Sequence, residues 1–168
     1  MAPSSSIEMY KALNASHNLN GPVCVRFPRG KSSVEDFVTN DEIEIGKAHI
    51  IRTGIDIVIF AFGNMLEPSM IAAEEVNATV IDMRFIKPLD EKLIIELASV
   101  NKKLISIEDN AISGGAGSAI NEVLQKNSIK TPLHILGVPD FVTEHGSQKE
   151  LYELYGLNAK HIIKVCKS

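Results

Sequence analysis

Three short stretches, "TVIDMRF", "LISI" and "LHIL", are nearly continuously apolar, and they constrain what this chain can become more than any other feature. A strand with one wet face alternates apolar and polar residues, whereas a run without alternation belongs to a strand covered on both sides. Patterns of helical period lie between these runs. "LDEKLIIELASV" puts Leu89, Leu93, Leu97 and Val100 on one stripe, and Ala116, Ile120, Val123 and Leu124 line another. Strand and helix in turn imply parallel crossovers with helices on both faces of the sheet. Two further β-rich runs, "IGKAHIIR" and "DIVIFAF", are separated by Thr53-Gly54. That link is too short for a parallel crossover, so the first run is expected to be antiparallel and to form a hairpin with the second. The expected fold class is α/β, a three-layer α/β/α sandwich around a mostly parallel sheet of about five strands, one of them antiparallel.

Local signals place the helix ends. Pro68 falls in the first turn of a helix over Leu66 to Val76, where its missing N–H costs nothing. Ser147 and Glu150 have the spacing of a capping box before "LYELY", and Gly156 supplies a left-handed stop. Asn158 caps a last helix, with Leu157 and Ile162 placed as a hydrophobic staple. Near the start, Ile7 to Leu13 reads as a helix capped by Ser4, Ser5 or Ser6. "PVCVRF" alternates Val23, Val25 and Phe27 against Cys24 and Arg26 and reads as a strand. Lys31 to Glu44 has no period and reads as a linker.

Composition narrows the function. The net charge is −4 and no basic block occurs, so no nucleic-acid partner is expected. No apolar run approaches the roughly 18 residues of a membrane span, so no membrane partner is expected either. "MAPSSSIEMY" lacks the charged end and apolar core of a secretion signal, so the chain is not expected to be secreted. Cys24 and Cys166 have neither CxxC spacing nor a histidine pattern, which argues against zinc and for reduced thiols.

Four places carry candidate chemistry. The loop Gly114 to Gly117, "GGAG", follows a strand and opens a helix, as phosphate cradles do. It lacks the GxGxxG pattern, the following acid and the Walker lysine, so a packing turn is favoured over an anion site. Glu108 and Asp109 end a strand at the edge where α/β sheets bind ligands, but neighbours on a strand point to opposite faces. A helix-start or interface role therefore fits them better than shared catalysis. His145, in "TEHGSQ", has no carboxylate or cysteine at useful spacing and reads as a surface residue. In "FPRG", Pro28 holds Phe27 extended and Gly30 permits a turn, so Arg29 projects beyond the run. A guanidinium there either holds a phosphate or pairs with solvent or a carboxylate.

Taken together, "GPVCVRFPRG", "VIDMRFIKPLDEKLI", "ISIEDNAISGGAGSAINEVL" and "LGVPDFVTEHGSQKELYELYGL" resemble the C-terminal part of the 1-deoxy-D-xylulose-5-phosphate synthases, of the transketolase superfamily. The start, "MAPSS", is similar to that family's "MAPSDE", with Ser5 where an acid often stands. The resemblance implies an enzyme that uses thiamin diphosphate and Mg2+ to condense pyruvate with glyceraldehyde 3-phosphate at the head of isoprenoid synthesis. It implies residues 1–30 as the remnant of a pyrimidine-binding domain, 31–44 as a linker and 45–168 as a transketolase-type C-terminal domain. The family's GDG metal motif and the segment with the cofactor-activating glutamate are absent. The fragment alone is thus expected to be non-catalytic, to bind neither cofactor nor metal, and to serve structure and dimer formation. Its partners are the missing N-terminal domains and, in the full enzyme, a second subunit. Arg29 is implied to hold the aldehyde's phosphate, and no phosphate duty is implied for Gly114 to Gly117. A bacterial cytoplasm or a plastid-type organelle is the implied location. Residues 1–30, without their parent sheet, are expected to be loosely held. "DMRFIKPLD" alone also resembles the β-subunit of pyruvate dehydrogenase, so the C-terminal domain of a 2-oxoacid dehydrogenase β-subunit stands as one alternative. A stand-alone phosphate- or nucleotide-binding α/β module is another.

Overall fold

The computed structural model describes residues 1–28 and 42–168. Five strands, β1 (His49–Arg52), β2 (Ile57–Ala61), β3 (Thr79–Asp82), β4 (Lys103–Ala111) and β5 (Leu133–Val138), form one sheet in the order β1-β3-β2-β4-β5. β2 runs parallel to β3 and β4, β4 runs parallel to β5, and β1 alone is antiparallel. Alternation along β2 sorts its side chains between two cores. Ile59 and Ala61 join Val80, Ile105 and Ile107 under α2 (Leu66–Val76) and α6 (Ala159–Lys167). Val58 and Phe60 join Ile81 and Leu104 under α3 (Glu91–Val100) and α4 (Ala116–Lys126). The expected three-layer sandwich is the observed one, and its central strands are sealed on both faces.

The β1–β2 hairpin does not form. β1 pairs with β3, His49 opposite Asp82 and Ile50 opposite Ile81. The link Thr53 to Asp56 crosses the N-terminal end of β3 instead, tied there by Gly54 N–H to Thr79 Oγ1 (2.9 Å) and Ile55 N–H to the Asn77 carbonyl (2.8 Å). The link turns at Asp56, at a left-handed φ of 64°, after stepping over one strand of a sheet whose neighbours lie about 4.8 Å apart. A Cβ on Gly54 would sit 2.2 Å from the Asn77 carbonyl oxygen, so the crossing needs glycine at this point.

Local caps fall where the sequence puts them. Ser5 caps α1 (Ser6–His17), Ser147 and Glu150 form the box of α5 (Gln148–Tyr155), Gly156 ends that helix at φ 70°, and Asn158 caps α6. Two readings need correction. "PVCVRF" forms no strand: among the described residues its main-chain partner is Met1, and Val23 and Phe27 remain exposed. The buried face of α3 centres on Ile94 and Ala98, while Val100 is 75 % exposed. The run "TVIDMRF" also leaves the sheet early, at Asp82, and Arg84 beyond it takes a left-handed φ of 53°.

Candidate functional site

From β2 the chain passes through α2 on one face to β3; from β4 it passes through α4 on the other face to β5. The C-terminal ends of β2 and β4 therefore flank a switch point, the usual ligand crevice of an open α/β sheet. Here the chain's own groups fill it. Glu108 turns toward α4: its Oε2 accepts from Ala116 N–H (2.9 Å) and its Oε1 from Gly117 N–H (2.8 Å). The free donors of the helix start, the chemical basis for an anion site, are thus taken by a buried carboxylate. The glycines serve that contact. A Cβ on Gly117 would lie 2.5 Å from Ile135 Cγ2 and Ser106 Oγ, and one on Gly115 would strike the Ala111 carbonyl and the Glu108 carboxylate.

Asp109 turns the other way, as adjacent strand residues must. Its Oδ2 accepts from the Tyr152 hydroxyl (2.5 Å), which accepts in turn from Gln148 Nε2 (2.8 Å) and from Asn64 Nδ2. Burial, and then the Asp109 hydrogen bond and charge, push the Tyr152 phenol above its ordinary pKa, so it stays a donor.

The N-terminal segment covers the rest of this edge. Ala2 N–H donates to the Arg84 carbonyl (2.7 Å), and Ser4 Oγ donates to Asp82 Oδ2 (2.5 Å) at the end of β3. Arg84 meets Glu8 at two points, Nη2 to Oε1 and Nε to Oε2, each 2.9 Å. Over β4, Arg26 Nη2 donates to the Asp109 carbonyl, while Arg26 N–H bonds the Met1 carbonyl (2.9 Å) and the Met1 amine bonds the Cys24 carbonyl (2.7 Å). The segment expected to be loosely held is instead fastened by a buried ion pair and a buried carboxyl. Burial, opposed by the Ser4 hydrogen bond, raises the Asp82 pKa to about 6. No sequence pattern signalled these contacts, since Glu8 and Arg84 lie 76 residues apart.

Between this segment and the domain lies an open hollow of about 630 Å³, bounded among others by Ser4, Phe27, Pro28, Met65, Ile71 and Tyr152. A smaller one of about 440 Å³ lies beside Asp109, Tyr152 and Tyr155, and Pro28 borders both. Arg29 and most of the linker 31–44 lie outside the described residues. His145 is exposed between β5 and α5. Among the described residues no three His, Cys, Asp or Glu side chains are grouped to hold a metal ion, and no helix is long and apolar enough to cross a membrane.

The fold and this edge define a three-layer α/β domain with an N-terminal strap docked on the C-terminal ends of its strands. Comparison with known proteins specifies it further: residues 46–162 match the family described as transketolase, C-terminal domain, and the chain belongs to that family. It is similar to the 1-deoxy-D-xylulose-5-phosphate synthase of Pseudoalteromonas translucida (strain TAC 125), 42 % identical over 169 residues that cover 100 % of this chain and 27 % of that protein. It is also similar to the protein of the same name from Nitrosococcus oceani, 43 % identical over 171 residues, covering 100 % of this chain and 26 % of that protein. A solved structure described as a split gene transketolase, inactive beta4 tetramer, superposes with a TM-score of 0.88 at 28 % identity, over 99 % of this chain and 55 % of that one. The chain spans about a quarter of the length of the curated relatives it matches.

Proposed function

We propose that this chain is the C-terminal part of a 1-deoxy-D-xylulose-5-phosphate synthase, a transferase that condenses pyruvate with glyceraldehyde 3-phosphate and releases carbon dioxide. One observation carries the reading: the whole chain aligns at about 42 % identity with relatives of that name, over about a quarter of their length, and matches the transketolase C-terminal domain. In this reading residues 1–30 end a pyrimidine-binding domain, 31–44 link it onward and 45–168 form the C-terminal domain. The strap over the sheet edge supports that division, because residues 1–28 lie outside the matched family yet dock on it through specific polar pairs.

The part played by this chain is structural. Among the described residues no three His, Cys, Asp or Glu side chains are grouped for Mg2+, and the glycine-lined start of α4 holds Glu108 in place of a phosphate, so the proposal gives Mg2+ and thiamin diphosphate to the rest of the polypeptide. In this reading Arg29 holds the aldehyde's phosphate, and the assembled enzyme is a homodimer of a bacterial cytoplasm or a plastid-type organelle. The synthase name carried by the relatives reported above favours this reading over the 2-oxoacid dehydrogenase alternative. The stand-alone phosphate-binding alternative meets Glu108 already seated on the helix start. The longer polypeptide carrying this chain is expected to release carbon dioxide from pyruvate in step with consumption of glyceraldehyde 3-phosphate. Release that depends instead on an acyl-accepting partner protein would overturn the proposal.

A further inference from the structure

α1 is built inside out for a helix on a protein surface. Its buried positions are Glu8 and Ala12, one turn apart. Ile7, Tyr10 and Leu13 are 42 %, 66 % and 47 % exposed. At about 100° per residue these three form a stripe on the side of the helix opposite Glu8 and Ala12. A surface helix normally turns its apolar stripe inward and its charges outward. Here the carboxylate is inside, held by Arg84, and the apolar stripe is outside. The two-point pair fixes the helix, so the stripe is a set surface and not a loose end.

The apolar surface continues beyond the stripe. Met9, one turn before Leu13, borders the larger hollow, and the exposed side chains of Phe27 and Ile71 border it too. A continuous apolar patch of this kind marks a contact with other protein. Two observations point to what covers it. α1 lies outside residues 46–162, the span of the C-terminal domain, yet is latched onto that domain by polar pairs. The superposed solved chain takes up 99 % of this one, strap included, over only 55 % of its own length. The same strap and domain thus recur in a chain with much more protein available to cover them.

We propose that α1 is a wedge shared by two domains. Its polar side latches onto this domain through Glu8 and Arg84, and its apolar side, Ile7, Tyr10 and Leu13 with the hollow beside Met9, is covered by the remainder of the same longer polypeptide. The inference rests on the reading of this chain as part of a longer synthase. It adds the surface on which the two parts meet, and it makes the Glu8–Arg84 pair a contact between domains.

The test places a photo-reactive side chain on the stripe of the longer polypeptide, as Tyr10→benzoylphenylalanine. Irradiation is expected to give a cross-link within one polypeptide, running at single-chain mass on a denaturing gel and mapping to a peptide outside residues 1–168. A product of twice that mass would assign the stripe to a second copy and overturn the inference. So would cross-links confined to residues 1–168. A smaller probe guards against disturbance by the bulky ring. Leu13→Cys, in a Cys24→Ser background, should react with a maleimide at least about tenfold more slowly in the longer polypeptide than in residues 1–168, because a covered thiol is shielded. Equal rates would also overturn the inference. Turnover by the unsubstituted longer polypeptide separates the failures. Turnover with an uncovered stripe removes the wedge and leaves the synthase reading standing, whereas absence of turnover removes that reading and the wedge with it.

Discussion

Glu8 and Arg84 meet across 76 residues in a two-point ion pair whose side chains are only 3 % and 7 % exposed. Their contact ties α1 to the chain just after β3, and Lys11 adds a third charge at 3.7 Å from Glu8. A buried pair of this kind costs much to break and little to replace, because removing one partner strands the other charge out of water.

Glu8→Ala or Arg84→Ala is therefore expected to destabilise the chain by about 3–5 kcal/mol, whereas Glu8→Leu combined with Arg84→Met should recover most of the loss. Urea unfolding of the single and double variants checks this. Additive losses in the double variant would show that the pair does not act as a unit.

Asp82 sets a pH dependence with a definite sign. Its folded pKa, about 6, lies above the ordinary 3.8. Below about pH 4 the carboxyl is protonated in both states and its contribution is fully present. As pH rises toward 6 the unfolded chain ionises first, so stability falls, and above that window the loss is constant. Asp82→Asn keeps an acceptor for Arg84 N–H and a hydrogen-bonding partner for Ser4. It should flatten this slope and raise stability at pH 7.5 by about 1–3 kcal/mol. Denaturation midpoints between pH 4 and 8 read it out; an unchanged slope in the variant would remove Asp82 from the account.

Glu108→Ala leaves the Ala116 and Gly117 N–H groups buried without a partner. The expected loss is about 2–4 kcal/mol by denaturant unfolding. Inorganic phosphate or ATP should neither shift the unfolding temperature of the parent chain nor give heat on titration. Saturable binding of either, abolished by Gly117→Ala, would restore the loop as an anion site.

What was legible in the sequence was local. Ser147 with Glu150, Asn158 with its helix and Gly156 with its stop each act within a few residues, and each is found where its spacing puts it. The doubly covered strands were legible because burial on both faces leaves no polar alternation in "LISI" or "TVID". Partner choice was not. Nothing between Thr53 and Asp56 tells a tight turn from a step across one strand, and β1 found β3 rather than β2. "PVCVRF" has strand alternation without a strand to pair with. At the candidate site, the opposite facing of Glu108 and Asp109 followed from the pleat. The groups they meet, Ala116 and Gly117 on one side and Tyr152 on the other, came from elements whose docking only the assembled sheet defines.

The most direct test of the central claim is an assay of the purified, folded chain alone with pyruvate, glyceraldehyde 3-phosphate, thiamin diphosphate and Mg2+. The account predicts no turnover above the protein-free reaction, and turnover once the chain is joined to the rest of its polypeptide. Condensation at an enzyme-like rate by residues 1–168 alone would contradict it.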